Sequence, residues 1–185
     1  MRLLICACCL VLVACQPTPP KNRPALDEDI AKDSVTNHTI IKDVNMEMLF
    51  TLEDAEKIMG EPAALADSST SGGKTGDVYQ SWYKALSEEA STHKIANVYF
   101  LVNKFANESM SKTDYASIKT ANQHNGIEEL QNLGDEAYFH TDNENFYYIM
   151  VRKGVYGFRI KVSKITSKTS KDWLMRIAEK ITAEL

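Results

Sequence analysis

Three stretches of the chain carry apolar residues at helical spacing, and capping signals bound the first of them. In "TLEDAEKIMGEP", Thr51 is a natural N-cap and Asp54 stands three residues later, as in a capping box. Acidic residues fill the first turn, and Gly60 followed by Pro62 supplies a stop. The pattern predicts a helix between Thr51 and Gly60 with one apolar face.

Two further helices are predicted in the second half of the chain. One begins at Ser111, with Asp114 at the third position and with Tyr115 and Ile118 facing inward. The other occupies "SKDWLMRIAEKITAEL" at the C-terminus. Its apolar residues at helical spacing are Leu174, Ile177, Ala178, Ile181 and Leu185. Both helices are amphipathic, so each is expected to pack against another element.

The runs between the helices are rich in β-branched and aromatic residues, which favours strands. They are "DVYQSWYKA", "KIANVYFLVNKF", "DEAYFH" and "NFYYIMVRKGVYGFRIKV". The last is predicted to be a hairpin that turns at Lys153-Gly154. We expect Tyr148, Met150, Phe158, Ile160 and Val162 to point toward one face of the sheet.

This order of elements predicts an α+β fold, in which helices flank an antiparallel β-sheet. The expected order is a helix, two strands, a helix, three strands and a final helix. We find no internal repeat, and a single globular domain is predicted for residues 34–185.

The N-terminus has the pattern of an export signal. "MRLLICACCLVLVACQ" has one charge, at Arg2, followed by an uncharged run from Leu3 to Ala14. At about 1.5 Å per residue this run is too short to cross a hydrocarbon core of ~30 Å. A cleaved signal over residues 1–14 is therefore predicted instead of a membrane-spanning helix.

The end of this run, Leu12-Val13-Ala14-Cys15, resembles the lipobox of bacterial lipoproteins. The resemblance implies that Cys15 is diacylated and becomes the mature N-terminus, anchored in a membrane. Gln16 in the next position implies the outer membrane, facing the periplasm. The alternative is a plain secretory signal with an incidental cysteine. Residues 15–33 are rich in proline and then in charge, which predicts an extended tether.

All four cysteines, Cys6, Cys8, Cys9 and Cys15, lie in the signal or at its end. The predicted mature chain thus has no thiol except the one that takes the lipid. This excludes disulfides, a cysteine nucleophile and a thiolate metal site. No cofactor and no metal are predicted for the domain.

The elements of residues 48–185 also carry a weaker resemblance. The succession of "TLEDAEKIMGEP", an aromatic strand, the "NLGDEAYF" turn, the "VRKGVYGFRIKV" hairpin and a closing amphipathic helix is similar to small bacterial lipoproteins with a PsbP-like fold. The resemblance implies a sheet with flanking helices and a mostly accessory, non-catalytic role. It assigns no catalytic residue to this chain.

The stretch "SSTSGGKTGD" contains the Gly-Lys-Thr ending of a phosphate-binding loop, at Gly73-Lys74-Thr75. A phosphate loop needs a glycine at the position held by Ser68, and it must join a strand to a helix. Here a strand-like run follows instead. We predict a mobile Ser/Gly loop between a helix and a strand, and no nucleotide binding.

Candidate catalytic groups are few. His140 and Asp142 stand two residues apart at a strand end and could share a ligand, although a solvated strand end is the simpler interpretation. Asp135 and Glu136 are adjacent, so on a strand they would point to opposite faces and would not converge on one atom. A site assembled from distant residues stays open as an alternative.

Charge is distributed unevenly along the chain. The net charge is −4, yet residues 151–185 hold nine Lys and Arg against three Asp and Glu. The lysines of "KVSKITSKTSK" are Lys161, Lys164, Lys168 and Lys171. They form a candidate basic patch for an anionic envelope component or an acidic protein. The alternative is that folding brings acidic residues beside them and cancels the field.

Six aromatic residues of the predicted strands could line a ligand groove, although aromatics on strands more often pack in the core. They are Trp82, Tyr83, Tyr99, Tyr147, Tyr148 and Tyr156. Together the observations favour a lipid-anchored envelope protein with a non-enzymatic binding or accessory role. An envelope hydrolase and a small-ligand carrier are the alternatives. Partners are the membrane, through acyl chains on Cys15, and a protein or anionic component of the envelope; nucleic acid is not expected.

Overall fold

Seven strands form one antiparallel sheet in the computed structural model, which describes residues 44–185. The strands are β1 (Ala63–Gly73), β2 (Gly76–Ala85), β3 (Asn97–Phe105), β4 (Ile127–Glu129), β5 (Glu136–Thr141), β6 (Phe146–Lys153) and β7 (Tyr156–Ser163). Their order across the sheet is β1-β2-β3-β7-β6-β5-β4. With three helices beside this sheet, the predicted α+β class is confirmed.

The helices are α1 (Leu52–Met59), α2 (Glu108–Asn122) and α3 (Lys171–Glu184). The predicted caps of α1 are confirmed: Thr51 and Asp54 form a capping box, and Gly60 ends the helix in the left-handed conformation. Ser170 caps α3 through a hydrogen bond from the Trp173 amide. These ends lie where the sequence predicts them because a cap depends on residues within one helical turn.

The predicted start of α2 at Ser111 is wrong. The helix begins at Glu108, and the side chain of Asn107 caps it by accepting a hydrogen bond of 3.0 Å from the Met110 amide. The Ser111 hydroxyl lies inside the helix instead, and it donates a hydrogen bond of 2.7 Å to the Gly154 carbonyl oxygen. Ser111 therefore ties α2 to the β6–β7 turn.

The sheet has helices on both faces. On the face that we call the core face, α1 and α3 pack over the central strands, and the main hydrophobic core forms there around Phe100, Ile149 and Ile160. On the other face, which we call the α2 face, Tyr115 of α2 packs with Tyr138 and Met150. The α2 helix is the only α-helix of residues 44–185 on that face, so much of the face has no helical cover.

The β6–β7 hairpin differs from its prediction in one respect. Tyr148 pairs with Lys161, while Ile149 pairs with Ile160. Even-numbered residues of β6 therefore stand beside odd-numbered residues of β7. Because side chains alternate between faces, Tyr148 lies on the α2 face and Ile160 on the core face, and the expectation that they share a face is wrong.

The predicted Ser/Gly loop is also wrong. Residues 63–73, including "SSTSGG", form β1, which pairs with β2 down to Gly73 opposite Gly76. Lys74 and Thr75 form the hairpin turn between two antiparallel strands. The Gly-Lys-Thr ending thus joins a strand to a strand. A short β4 that no sequence pattern indicated pairs with β5 at the opposite edge.

Glu89 ties the β2–β3 loop to the β7–α3 loop. Its carboxylate accepts hydrogen bonds from the Ser167 hydroxyl (2.6 Å), the Ser167 amide (2.8 Å) and the Thr92 hydroxyl (2.5 Å). These bonds favour the charged form, led by the Ser167 hydroxyl, and lower the pKa of Glu89 from 4.5 to about 2.

We expect this carboxylate to make stability depend on pH in acid. A depressed pKa stabilises the fold above the unfolded value of 4.5, and the contribution disappears as the pH falls toward about 2. Urea unfolding of the parent chain should therefore show a falling free energy across that interval. In the Glu89→Gln variant, the free energy of unfolding should fall less steeply with decreasing pH. A pH dependence equal to that of the parent chain would contradict the assignment of this effect to Glu89.

The predicted signal, the predicted lipidation of Cys15 and the predicted tether concern residues that lie outside 44–185. Within the described range, none of the helices combines the length and the apolar character that a membrane span needs.

Candidate functional site

The most distinctive exposed surface is the part of the α2 face that no helix covers. This surface lies on β2, β3 and β7, where successive side chains alternate between the core face and the α2 face. We call this surface the open strip. It consists of Gln80, Trp82, Tyr99, Arg159 and Lys161.

The strip is ordered in two rows that cross the strands. Trp82 of β2 pairs with Tyr99 of β3, which pairs with Lys161 of β7. In the next row, Gln80 and Arg159 stand on either side of Leu101. Neighbouring strands lie about 4.8 Å apart, so each row forms a continuous line of side chains.

Trp82 is the large apolar side chain of this surface. It is 41% exposed, and no ring or cation packs against it among the described residues. Trp173 of α3 is similarly exposed, at 39%, but the charged groups of Lys57 and Arg176 lie 5.5 and 5.3 Å from its ring centre. Contacts with neighbouring cations thus explain the surface position of Trp173, whereas the indole of Trp82 has no such contact and is free for a partner.

Hydrogen bonds hold the polar neighbours of Trp82 in place. The Tyr99 hydroxyl donates to the Gln80 amide oxygen. The Gln80 amide nitrogen donates in turn to the Ser69 hydroxyl of β1, at 2.9 Å. This chain crosses three strands and fixes the orientation of Gln80 and Tyr99, so the surface beside Trp82 is preorganised.

More positive than negative charge lies on and beside the strip: Lys84, Arg159 and Lys161 carry cations, and Asp67 of β1 places one carboxylate opposite Trp82. Lys161 is exposed and its ammonium lies 5.7 Å from the Phe146 ring centre. Lys84, on the same face one row beyond Trp82, is exposed as well. Within residues 44–185 neither lysine forms an ion pair. A negatively charged partner would therefore meet cations that are not already neutralised.

Arg159 faces the one carboxyl group of α2 that approaches the strip. Burial raises the pKa of Asp114, while the charge of Arg159 opposes that rise. Burial also raises the pKa of the Tyr148 hydroxyl, and the charge of Arg159 opposes that rise. Arg159 thus forms the boundary between the open strip and the packed region under α2.

An open cleft with a volume of about 520 Å³ lies along the side of α2. Its lining residues are Thr75, Phe105, Ser109, Met110, Thr113, Asp114 and Ser117. Phe105 and Met110 supply apolar surface and Asp114 a half-buried carboxyl group. No local sequence pattern indicates this cleft, because α2 and the β1–β2 turn are far apart along the chain.

The structure separates the six aromatic residues of the candidate groove. Trp82, Tyr99 and Tyr148 lie on the α2 face, and Tyr148 packs there against Tyr138 with ring centres 5.8 Å apart. The other three lie on the core face: Tyr83, Tyr147 and Tyr156. Only half of the set can therefore contribute to one groove.

The four lysines of the candidate basic patch lie on different surfaces. Lys161 is on the open strip, and Lys164 occupies a left-handed turn residue after β7. Lys168 pairs with the buried Glu61 (3.3 Å). Lys171 pairs with Glu128 (3.4 Å) and lies over the Phe139 ring on the core side.

His140 and Asp142 line a small pocket of about 220 Å³ with Thr141 and Phe146. The Asp142 carboxylate is occupied by the β5–β6 turn, since it accepts hydrogen bonds from the amides of residues 144, 145 and 146. These bonds hold the pKa of Asp142 well below its usual range. His140 is buried against Phe146, and its Nδ1 has no hydrogen-bond partner in the described part of the chain.

The expectation that Asp135 and Glu136 point to opposite faces is wrong, although the two carboxylates do not meet at one atom. Both carboxylates bind one guanidinium group: Arg152 Nη1 lies 2.9 Å from Asp135 and Nε lies 2.5 Å from Glu136. Asp135 precedes the first residue of β5, so strand alternation does not apply to it. Asp135 also accepts the Gly154 amide (2.8 Å) and thereby joins the β6–β7 turn.

Gly134, just before this pair, is required by its position. It has a φ of 64°, and a Cβ there would stand 2.5 Å from the Arg152 carbonyl oxygen. The "NLGDEAYF" turn therefore has a structural role, which is to hold the Arg152 side chain in place. Among residues 44–185 no group of three or more His, Cys, Asp and Glu side chains is placed to hold a metal ion.

No protein-family model matches the chain, and no curated protein does. Among solved structures, the chain is similar to the extracellular domain of PknH from Mycobacterium tuberculosis. The two share 11% identity with a TM-score of 0.49, over 75% of this chain and 93% of that chain. A likeness this distant supports no conclusion about fold family or activity.

Proposed function

We propose that the protein is a non-enzymatic binding protein of the cell envelope, anchored by acyl chains on Cys15 and facing the periplasm from the outer membrane. Its contact surface is the open strip, and its partner is an envelope protein with an acidic surface. The observation that supports this most strongly is the free, 41% exposed indole of Trp82 on an otherwise preorganised sheet face.

The composition of the strip favours a protein partner. Tryptophan, tyrosine and arginine are the residue types that contribute most binding energy at protein interfaces. Trp82 and Tyr99 stand side by side, and Arg159 follows in the next row. Lys84 and Lys161 add positive charge, which would steer an acidic partner toward the strip although the whole chain is acidic.

A PsbP-like fold is the finer part of this proposal. The helix at 52–59, the turn at 132–135, the β6–β7 hairpin and the C-terminal helix all occur in the order that the resemblance implies. Helices on both faces of an antiparallel sheet are compatible with it. The accessory role implied by the resemblance agrees with a surface built for contact.

Trp82→Ala should weaken the recovery of the partner strongly. Removal of a central aromatic anchor costs about 2 kcal/mol or more at an interface, which is roughly a thirtyfold loss of affinity. The test is affinity purification from gently crosslinked, detergent-solubilised envelopes with quantitative mass spectrometry. Trp173→Ala is the matched control, because Trp173 is equally exposed and its contacts are local.

The control decides how a loss is interpreted. Loss of the same protein with Trp82→Ala and its retention with Trp173→Ala would support the strip. Equal recovery with both variants would contradict it. If a glycolipid copurifies in place of a protein and is lost with Trp82→Ala, the open strip would still be the contact surface, but its partner would be a glycolipid.

The anchor has its own test. Cys15→Ser removes the thiol that takes the acyl chains, so the variant should remain an unlipidated precursor and leave the lipoprotein fraction of the envelope. Metabolic labelling with an alkyne fatty acid measures this directly. Labelling of the variant at the parent level would contradict the lipobox assignment.

A small-ligand carrier is the second candidate, and the cleft of about 520 Å³ beside α2 favours it. Such a carrier would be recognised by a bound small molecule in native mass spectra of the freshly purified chain. The hydrolase alternative receives no comparable support from His140 and Asp142, because the Asp142 carboxylate is engaged by its own turn.

A further inference from the structure

The cleft beside α2 has one charged residue in its lining, Asp114. This half-buried carboxylate forms no hydrogen bond and no ion pair with the described part of the chain. The fully buried carboxylates of residues 44–185 all accept hydrogen bonds from other side chains; they are Asp54, Glu61 and Glu89. Asp114 differs from them because nothing within the described fold compensates its partial loss of water.

The lining brings together two sides of different origin. Five of its residues come from α2, where spacings of four residues arrange them in two adjacent rows along the helix. These are Ser109, Thr113 and Ser117 in one row and Met110 and Asp114 in the other. Phe105, at the end of β3, and Thr75, in the β1–β2 turn, form the opposite side.

Contacts within the fold hold both sides of the cleft in place. The Ala106 amide donates a hydrogen bond of 3.3 Å to the Thr75 carbonyl oxygen, which joins the end of β3 to the β1–β2 turn. The Phe105 ring lies against Gly157 of β7, where a Cβ would stand 3.3 Å from the ring. On the other side, the hydroxyl of Ser111 ties α2 to the β6–β7 turn. The cleft is therefore largely preformed, which lowers the cost of binding.

The chemistry of the lining suits a ligand that joins a cation to an apolar body. Phe105 and Met110 supply the apolar surface. An ammonium group has three donors and no acceptor, so the Asp114 carboxylate and the row of hydroxyl oxygens beside it are suitable partners. Arg159, whose charge acts on Asp114, is not among the lining residues and so leaves the cleft side of the carboxylate open.

We propose that this cleft binds a small primary amine with an apolar body, and that the ammonium of the ligand pairs with Asp114. The volume of about 520 Å³ lies within the range of roughly 300–1,000 Å³ that ligand pockets occupy. A carboxylic acid of the same size would meet an unpaired negative charge, and an alcohol would leave that charge uncompensated. The inference rests on the carrier alternative for the function and is independent of the open strip.

A ligand-observed NMR titration of the full chain in mild detergent tests the class of ligand. The probes share one shape and differ in charge: phenethylamine is cationic near neutral pH, phenethyl alcohol is neutral and hydrocinnamate is anionic. We expect phenethylamine to bind the parent chain about tenfold more tightly than either of the others, because only it forms a charge-assisted hydrogen bond.

Asp114→Asn should lower the affinity for phenethylamine about tenfold and leave the affinity for phenethyl alcohol unchanged, since the amide keeps the shape and removes the charge. Glu108→Gln is the matched control. Glu108 is an exposed carboxylate in the first turn of the same helix, pairs with Lys112 (3.6 Å) and does not line the cleft. This variant should bind phenethylamine as the parent chain does, and partition of the probe into detergent is the same for all three proteins.

The proposal fails if phenethylamine does not bind the parent chain, or if Asp114→Asn and Glu108→Gln change its affinity equally. Tighter binding of phenethyl alcohol or hydrocinnamate would overturn the amine class and still support a carrier site in the cleft. Recovery of an envelope protein through Trp82 is a separate measurement, so failure here is distinguishable from failure of the open strip.

Discussion

Replacing Phe100 with alanine is expected to lower the free energy of unfolding by about 3–5 kcal/mol. Phe100 is fully buried on β3, in the middle of the sheet. Its ring stacks on Phe50 with centres 5.0 Å apart, and the rings of Tyr79 and Phe158 lie 6.4 Å away. The truncation removes buried apolar area and leaves a cavity that these rings cannot easily fill.

Urea unfolding followed by tryptophan fluorescence measures this loss. Phe146→Ala is the matched control, because Phe146 is half-buried on the α2 face and packs mainly against His140. It should cost clearly less than Phe100→Ala. Equal losses from the two variants would mean that the main core is not centred on Phe100.

The double variant Asp135→Asn with Glu136→Gln is expected to destabilise the fold by about 3–5 kcal/mol. The Arg152 side chain is only 5% exposed, and these two carboxylates are its ion-pair partners in the described structure. Their neutralisation leaves a guanidinium charge buried without compensation. The Asn and Gln side chains have nearly the same shape as Asp and Glu. The lost stability would therefore come from the missing charges and not from altered packing.

Removal of the buried charge itself provides the control. Adding Arg152→Met to the double variant takes away the uncompensated cation, so the triple variant should regain part of the stability in urea unfolding. A triple variant less stable than the double variant would show that Arg152 acts mainly through packing and through its bond to the Gly154 carbonyl oxygen.

Sequence reasoning located the elements whose signals are local. Thr51, Asp54 and Gly60 bound α1 because capping is decided within a few residues. The C-terminal helix was equally clear from its apolar spacing. For α2, Asn107 lies four residues before Ser111, and both residue types are good caps, so the local signal is ambiguous.

The same reasoning missed β1 because its residues have low strand propensity. Ser, Thr and Gly in "SSTSGG" favour turns when considered alone. The strand forms because β2 offers it a continuous partner, from Gly76 opposite Gly73 to Ala85 opposite Ala63. Pairing between strands is a tertiary effect that composition does not show.

The candidate site was visible only in part. The sequence indicates Trp82, Tyr99 and Lys161 only as members of two separate sets, an aromatic groove and a basic patch. Register between β2, β3 and β7 unites them. The alternation in β2, where Tyr79 and Tyr83 are buried and Trp82 is exposed, was the one sequence signal that could have separated groove from core.

In-cell photocrosslinking from the edge of the open strip tests the central claim, that the strip is a contact surface, most directly. A photoreactive phenylalanine derivative replaces Lys84, which lies one row from Trp82, in one strain and the exposed Glu179 of α3 in another, so that the Trp82 indole stays in place. Crosslinked products are identified after illumination. We expect a specific acidic envelope protein from position 84 and none in common from position 179. The same products from both positions, or none from position 84, would contradict the account.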